Sequence, residues 1–525
     1  MLDQSGRFAT SGYGSLKANR MLVPASLEKT PARSLSEADL SSVREEVTEE
    51  DYQKIHDELR LIPSKFSVFR HTTRKQKTAL LVLCFCNFFA FSNMSVIAPF
   101  FPQEALKKGM SITNSGFVFS FFAMVVFIVS PFVGKVIPTI GAKFTFLIGL
   151  FIAGSCSILF GQLVKVEDLY SFTILSYAIR GLEAFGAACF STASCTFISD
   201  LFPNHVSSVM GFLETFIGLG YSVGPAIGGL LYSVGGYELP FLVLGGCILI
   251  SIPIGCCLLP SLNGGIAFFF FLEKDERLEQ NIGFWKVISY PGVLMVCLII
   301  AATSAAWGAI DPTLSIHLHE LGLTESQVGL IFLLESGVYA LFSPFWGWIC
   351  DKFHRTWSMM FIGLVSTGIG LLLLGPAPFI SGIEDYFWLK LVALSWIGMA
   401  VALAFIPTYQ SLINNATRAG PAISFNTHGI VAGIWSSMYS LGDVIGPGLG
   451  GVLLDYYGYP ICMTVFAGMM FFVAWLIVVF RFFLKRFRQV ETLPEEDRQG
   501  LENASLLEQS TSSVASSVLY GSCEF

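Results

Sequence analysis

Twelve apolar runs, each of about 20 residues, divide the chain into two groups of six. The first group lies near 78–101, 114–134, 142–162, 169–190, 207–232 and 239–260. The second lies near 290–313, 326–349, 357–376, 387–409, 428–454 and 460–483. Coiled as helix at about 1.5 Å per residue, a run of that length crosses the roughly 30 Å hydrocarbon layer of a bilayer. A soluble core cannot alternate a dozen such runs with short loops, and an outer-membrane barrel would show short alternating strands instead. The chain is 53% hydrophobic and 13% charged, against about 25% charged for an ordinary soluble domain. An all-α polytopic membrane protein of twelve transmembrane helices is therefore predicted, in two pseudo-symmetric six-helix bundles.

The polar stretches set the domain limits. We expect a tail at 1–76, a first bundle at 77–260, a polar linker at 261–288, a second bundle at 289–484 and a tail at 485–525. The first tail is rich in Ser, Glu, Arg and Thr, a composition that favours disorder. It has no apolar leader pattern, so the first apolar run is expected to direct insertion. Lys and Arg flanking the runs concentrate on one side: Arg70, Arg74, Lys75, Lys77, Lys135, Lys143, Lys274, Arg277, Lys286, Lys352, Arg355, Arg481, Lys485, Arg486 and Arg488. The other side has chiefly Lys107, Lys108 and Lys165. Both termini, the linker and that richer side are thus expected to be cytosolic. Net charge is −7 with no long basic block, which argues against nucleic acid as a partner. The 12 Cys are scattered without metal-site spacing and read as buried reduced thiols. No nucleotide loop, metal-ligand cluster or nucleophile motif points to an enzyme or a cofactor.

The two groups of six repeat each other. GPAIGG at 224–229 and GPGLGG at 446–451 share G-P-x-x-G-G. Gly211 and Gly220 match Gly433 and Gly442 at identical offsets, and Gly236-Tyr237 matches Gly458-Tyr459. SPFVG at 130–134 pairs with SPFWG at 343–347. Two motif pairs in register imply one six-helix unit used twice. Within the motif, Gly220, Gly224 and Gly228 recur every four residues and share one helix face. Small residues at that spacing let two helix backbones approach closely in lipid. Pro225 and its counterpart Pro447 remove a backbone hydrogen bond and bend their helices. Gly229 and Gly446 belong to the same two motifs. Glu214 sits roughly 120° around from the first seam at about 100° per residue, free to face a cavity between the halves.

This pattern resembles the major facilitator superfamily. G-x(8)-G-x(3)-G-P-x(2)-G-G at 211–229 is similar to the helix-5 antiporter motif of its proton-coupled members. Gly347, Asp351, Lys352 and Arg355 resemble its cytosolic loop motif, whereas the first-half copy keeps Gly134, Gly141 and Lys143 but has Pro138 where an acid is usual. LETFIGLGYSVGP, NFF…APFFP, GYELPF and DPTLS (311–315) resemble solute carrier family 18, the vesicular amine transporters, and most closely its polyamine branch. The resemblance spans about 78–483 and implies exchange of luminal protons for a cytosolic cationic amine. Ala90, Ala402 and Ser436 stand where monoamine members carry acids, which disfavours a monoamine cargo.

A charge at the bilayer centre costs about 2.5–3.5 kcal/mol on insertion scales, so intramembrane ionisable residues are functional candidates. Glu183, Glu214, Asp311, Glu335, Asp443 and Arg180 qualify. Arg180 and Glu183, three apart, can pair on one helical face; Arg180 also matches the helix-4 arginine that the family ties to proton coupling. A purely structural salt bridge near the cytosolic half is the alternative. Glu214 is expected near the midplane. Asp311 matches the helix-7 acid of the amine transporters, or else caps a helix end. Tyr339, one turn after Glu335, resembles a family tyrosine able to offer a cation–π face. Asp443 flanks the second glycine seam and matches no family acid. His317 and His319 are expected in a solvated luminal loop.

Several carboxylates around one cavity suit an organic cation with more than one ammonium, and the same groups can take up protons. The expected partners are therefore an organic cation, protons and the bilayer, in a monomer that needs no cofactor beyond a proton gradient. Asp57 with Leu61 and Ile62, and Glu502 with Leu506 and Leu507, resemble acidic dileucine sorting signals; Tyr13 with Leu16 resembles a tyrosine-based one. In cytosolic tails they would meet clathrin adaptors and direct the protein to vesicle or endolysosomal membranes. Two other functions stay open: a facilitator-fold exporter of drugs, lysolipids or other uncharged or amphiphilic solutes, and a non-transporting membrane receptor or adaptor.

Overall fold

The computed structural model describes residues 72–260, 284–323, 325–376, 386–418 and 425–491. The sorting candidates Tyr13, Leu16, Asp57, Leu61, Ile62, Glu502, Leu506 and Leu507 lie outside them, as does most of the linker.

The first six long helices are α1 (Arg74–Lys107), α2 (Ile112–Ile140), α3 (Ala142–Gln162), α4 (Leu169–Leu201), α5 (Val206–Gly235) and α6 (Glu238–Leu258). The second six are α7 (Pro291–Glu320), α8 (Glu325–Phe353), α9 (Thr356–Leu374), α10 (Phe387–Arg418), α11 (Phe425–Tyr457) and α12 (Tyr459–Glu491). A five-residue helix, Phe284–Ile288, precedes α7. Polar side chains set several starts: Thr73 and Gln76 form a capping box at α1, and Ser111 caps α2 through Asn114 N. Asp168 caps α4, accepting from Ser171 N at 2.7 Å, which holds its carboxyl below the usual carboxylate range. Gly236 and Gly458 adopt φ of +68° and +79°, so the repeated Gly-Tyr pair is one tight turn used twice, α5 to α6 and α11 to α12.

Eleven of the long helices are apolar and long enough to cross a membrane; α11 falls below that hydropathy. It is sheltered instead, packed against α7 and α2. Large side chains such as Leu81, Ile128, Leu230, Val234, Leu341 and Trp475 are exposed around the outside, as lipid-facing residues must be.

Packing repeats with the sequence. α5 lies on α1 as α11 lies on α7, α4 on α3 as α10 on α9, and α6 on α3 as α12 on α9. The halves meet through α2 on α11 and α5 on α8, again a symmetric pair. α1 and α5 begin on the same face as α2 and α8 end; we call it the near face.

The glycines act on two separate contacts. A Cβ at Gly220 would stand 2.7 Å from Phe88 O on α1, and one at Gly224 would overlap Ser92 and Ser95 of α1. Gly442 and Gly446 make the matching approach to Ser304 and Ala305 of α7. Gly211 and Gly433 do something else: they join the bundles, Gly211 against Ser343 of α8 and Gly433 against Ser130 of α2. Gly229 departs from its expected packing role. Nothing lies within 4 Å of the place its Cβ would take, because it sits one residue off the seam.

Candidate functional site

Glu214 is the ninth of the 30 residues of α5, so it lies nearer the near-face end of the helix than its middle. Its side chain faces the other bundle. The Tyr339 hydroxyl of α8 donates to Glu214 Oε2 at 3.1 Å, with Glu214 6% and Tyr339 8% exposed. The bond crosses the joint where α5 and α8 pack, and at the next residue of each helix Thr215 Oγ1 donates to Ala340 O at 2.8 Å. The Tyr339 ring lies 5.2 Å from that of Trp307 on α7.

A second carboxylate converges on the same region. Ser304 of α7 donates to Asp443 Oδ1 of α11 at 2.9 Å and also to Tyr439 O at 2.7 Å. The hydroxyl of the half-buried Tyr439 is within electrostatic reach of Asp443, Tyr221, Glu214 and Tyr339. Tyr439 is itself stacked on Trp435 at 6.1 Å. Two acids, three phenols and two indoles thus gather from α5, α7, α8 and α11. Carboxylates among aromatic faces are a cation-binding chemistry, one supplying charge and the other the ring quadrupole. Sequence reading found Glu214, Tyr339 and Asp443 but missed Tyr221, Trp307, Tyr439 and Ser304. Their signal was weak: uncharged aromatic and hydroxyl residues are common inside such helices.

Arg180 and Glu183 are paired as the i,i+3 spacing predicted, at 2.7 Å and both buried. Asn93 of α1 donates to Glu183 Oε1 at 3.0 Å, and Ser157 of α3 donates to Asn93 Oδ1. The Arg180 guanidinium lies 4.1 Å from the Phe122 ring centroid. α4 runs from the far face, so Arg180, its twelfth residue, falls in the far half. Glu335 is buried on α8, with its backbone carbonyl against Gly398 of α10. Asp311 is a helical residue of α7 whose side chain, like that of His319, lies outside the described residues.

His317 is not in a solvated loop. It lies in α7, stacked 4.2 Å from the Tyr459 ring, with Nε2 3.0 Å from Nζ of the buried Lys390 on α10. α7 runs about two turns beyond its expected end, which carries His317 inside the bundle.

On the near face the loop motif has a definite job. Asp351 accepts from the backbone N–H groups of Ser207 and Ser208 at 3.1 and 2.7 Å, a carboxylate on the N-terminus of α5 in the other bundle. Gly347 lets the backbones meet there, against Ser207. At the symmetric place Pro138 stands where an acid is usual and packs on Gly429 of α11; close by, His428 Nδ1 lies 3.9 Å from Asp200 Oδ1. Tyr409 of α10 donates to Cys195 O of α4 at 2.9 Å. Every described hydrogen bond between bundles lies between their middle and this face.

Comparison with known proteins agrees with the geometry. The family model "Major Facilitator Superfamily" matches residues 83–306 and again 296–521. The chain belongs to the major facilitator superfamily. It is 35% identical over 393 residues to the "MFS-type transporter SLC18B1" of Rattus norvegicus, covering 74% of this chain and 83% of that one. It is 24% identical to the human "Synaptic vesicular amine transporter", covering 72% and 69%. These matches place it with solute carrier family 18. Among solved structures, the human organic anion transporter MFSD10 shares the fold, with TM-score 0.60 and 15% identity over 77% of this chain and 99% of the other. The protein is a multi-pass membrane transporter.

Proposed function

We propose that the protein exchanges protons for an organic cation, a polyamine or related amine, carrying it from the cytosol into acidic vesicles. The observation that carries this reading is the Glu214–Tyr339 bond: a buried carboxylate held by a phenol across the joint between bundles would be broken and remade each time the halves rock. Glu214 and Asp443 supply two negative charges for a cation with two or more ammonium groups, and Tyr221, Tyr339 and Tyr439 supply hydroxyls and ring faces. A proton on Glu214 would release the cargo toward an acidic lumen, and loss of that proton on the cytosolic side would restore the site. With the near face cytosolic, the contacts of Asp351 and Tyr409 describe a shut cytosolic gate. With that orientation Arg180 and Glu183 would stand on the luminal side of the site, in a position to take part in proton release. Family likeness to vesicular transporters supports a vesicle membrane.

The test is uptake of radiolabelled spermidine into proteoliposomes with an acid interior. Saturable accumulation that a protonophore abolishes is expected. Accumulation equal in protein-free vesicles, or unaffected by the protonophore, would reject the reading.

A further inference from the structure

Transport leaves one basic cavity unused. It opens on the near face between the α8–α9 turn and the last turns of α12, has a volume of about 320 Å³, and is lined by His354, Arg355, Thr356, Trp357, Ser358 and Arg481. Two guanidinium groups and an imidazole border it from two separate parts of the chain. Among the described residues, no hydrogen bond or ion pair occupies these three side chains. The acid closest in sequence, Asp351, is directed away, onto Ser207 and Ser208. Lys352, over the Trp348 ring at 4.8 Å, adds another positive charge nearby.

The walls are suited to a particular anion. Guanidinium groups meet phosphate oxygens with parallel pairs of N–H donors, and the Thr356 and Ser358 hydroxyls can donate further bonds. Trp357 closes one side, its ring 5.6 Å from that of Phe480, next to Arg481 in sequence. The cavity therefore joins a positive mouth to an aromatic wall that continues onto the exposed apolar flank of α12, where Phe482 and Phe483 face outward. Basic pockets at helix ends beside a membrane surface bind phosphorylated headgroups. A cationic cargo is excluded from it by sign.

We propose that this cavity binds a phosphate-bearing anion at the membrane surface, tying α12 to the α8–α9 turn four residues from Asp351. The proposal is independent of what the transporter carries, and it is tested without transport.

Purified full-length protein in phosphatidylcholine nanodiscs is titrated with a fluorescent phosphatidylinositol bisphosphate and read by anisotropy. Saturable binding is expected, weakened about tenfold or more in R355Q/R481Q and retained in part by R355K/R481K. Each single Gln variant should weaken binding by less than the double. Melting and elution of the variants in neutral lipid report that they are folded. Competition by soluble inositol trisphosphate would show that the headgroup suffices; failure to compete, with lipid binding intact, would assign the site to the intact phospholipid. Wild-type binding no stronger than in empty nanodiscs, or equal binding by folded wild type and R355Q/R481Q, would overturn the proposal.

Discussion

The Tyr339 hydroxyl on α8 lies 3.1 Å from Glu214 Oε2 on α5, so one hydrogen bond ties a carboxylate of the first bundle to a phenol of the second. The pair is buried, and its members are 125 residues apart. Removing the phenol should be costly in a defined way. Tyr339→Phe keeps the ring against Trp307 and deletes only the donor. A buried acceptor losing its partner costs about 1–3 kcal/mol. We expect a melting temperature lower by a few degrees and weaker cargo binding, read by thermal unfolding with and without spermidine. Unchanged values in both would show that the bond carries no energy.

The Asp351 carboxylate on the α5 N-terminus should hold the near gate shut. Asp351→Asn removes the charge while keeping an acceptor, and charge at a helix start is worth about 0.3–1 kcal/mol, more when partly buried. Spin labels on the near ends of α5 and α8 should then report a larger separated population, by roughly two- to fivefold. Pro138, which replaces an acid at the symmetric position, predicts a smaller response to Pro138→Ala on the α2–α11 side.

Gly224 and Gly229 offer a matched pair of substitutions five residues apart. Gly224→Ala drives a methyl into Ser92 and Ser95, where backbone must move, and overpacking of that kind costs about 1–3 kcal/mol. Gly229→Ala meets open space and should be neutral or slightly stabilising through helix propensity. Expression and melting of the two variants measure the difference; equal loss would contradict the seam.

Much of this was legible in the sequence, and the rest was not for physical reasons. Apolar run length gave the helices, since bilayer thickness fixes it. The glycine seam was readable because spacing of four on a helix names one face. Arg180 and Glu183 were readable because their contact is local. Glu214 with Tyr339, and Ser304 with Asp443, could not be paired beforehand: each joins helices more than 120 residues apart. Lys390 went unsingled because it lies near a run end, where a lysine ordinarily reaches water. His317 was misplaced because the apolar run thins out near 313 while the helix continues to Glu320.

Arg180 and Glu183 make a buried ion pair. Breaking it by Glu183→Gln leaves an uncompensated guanidinium and should cost about 3–5 kcal/mol, whereas replacing both with Met should recover much of that loss. If the double variant is stable yet fails to couple uptake to the pH gradient, the pair acts in proton transfer. If it is stable and transports normally, the pair serves structure alone.

The most direct measurement compares wild type and Glu214→Gln in acid-loaded proteoliposomes, following labelled spermidine entry and proton exit together. The account predicts that wild type couples the two fluxes, and that the folded variant loses cargo-dependent proton exit and accumulates little. Coupled uptake at wild-type rate in Glu214→Gln would contradict it.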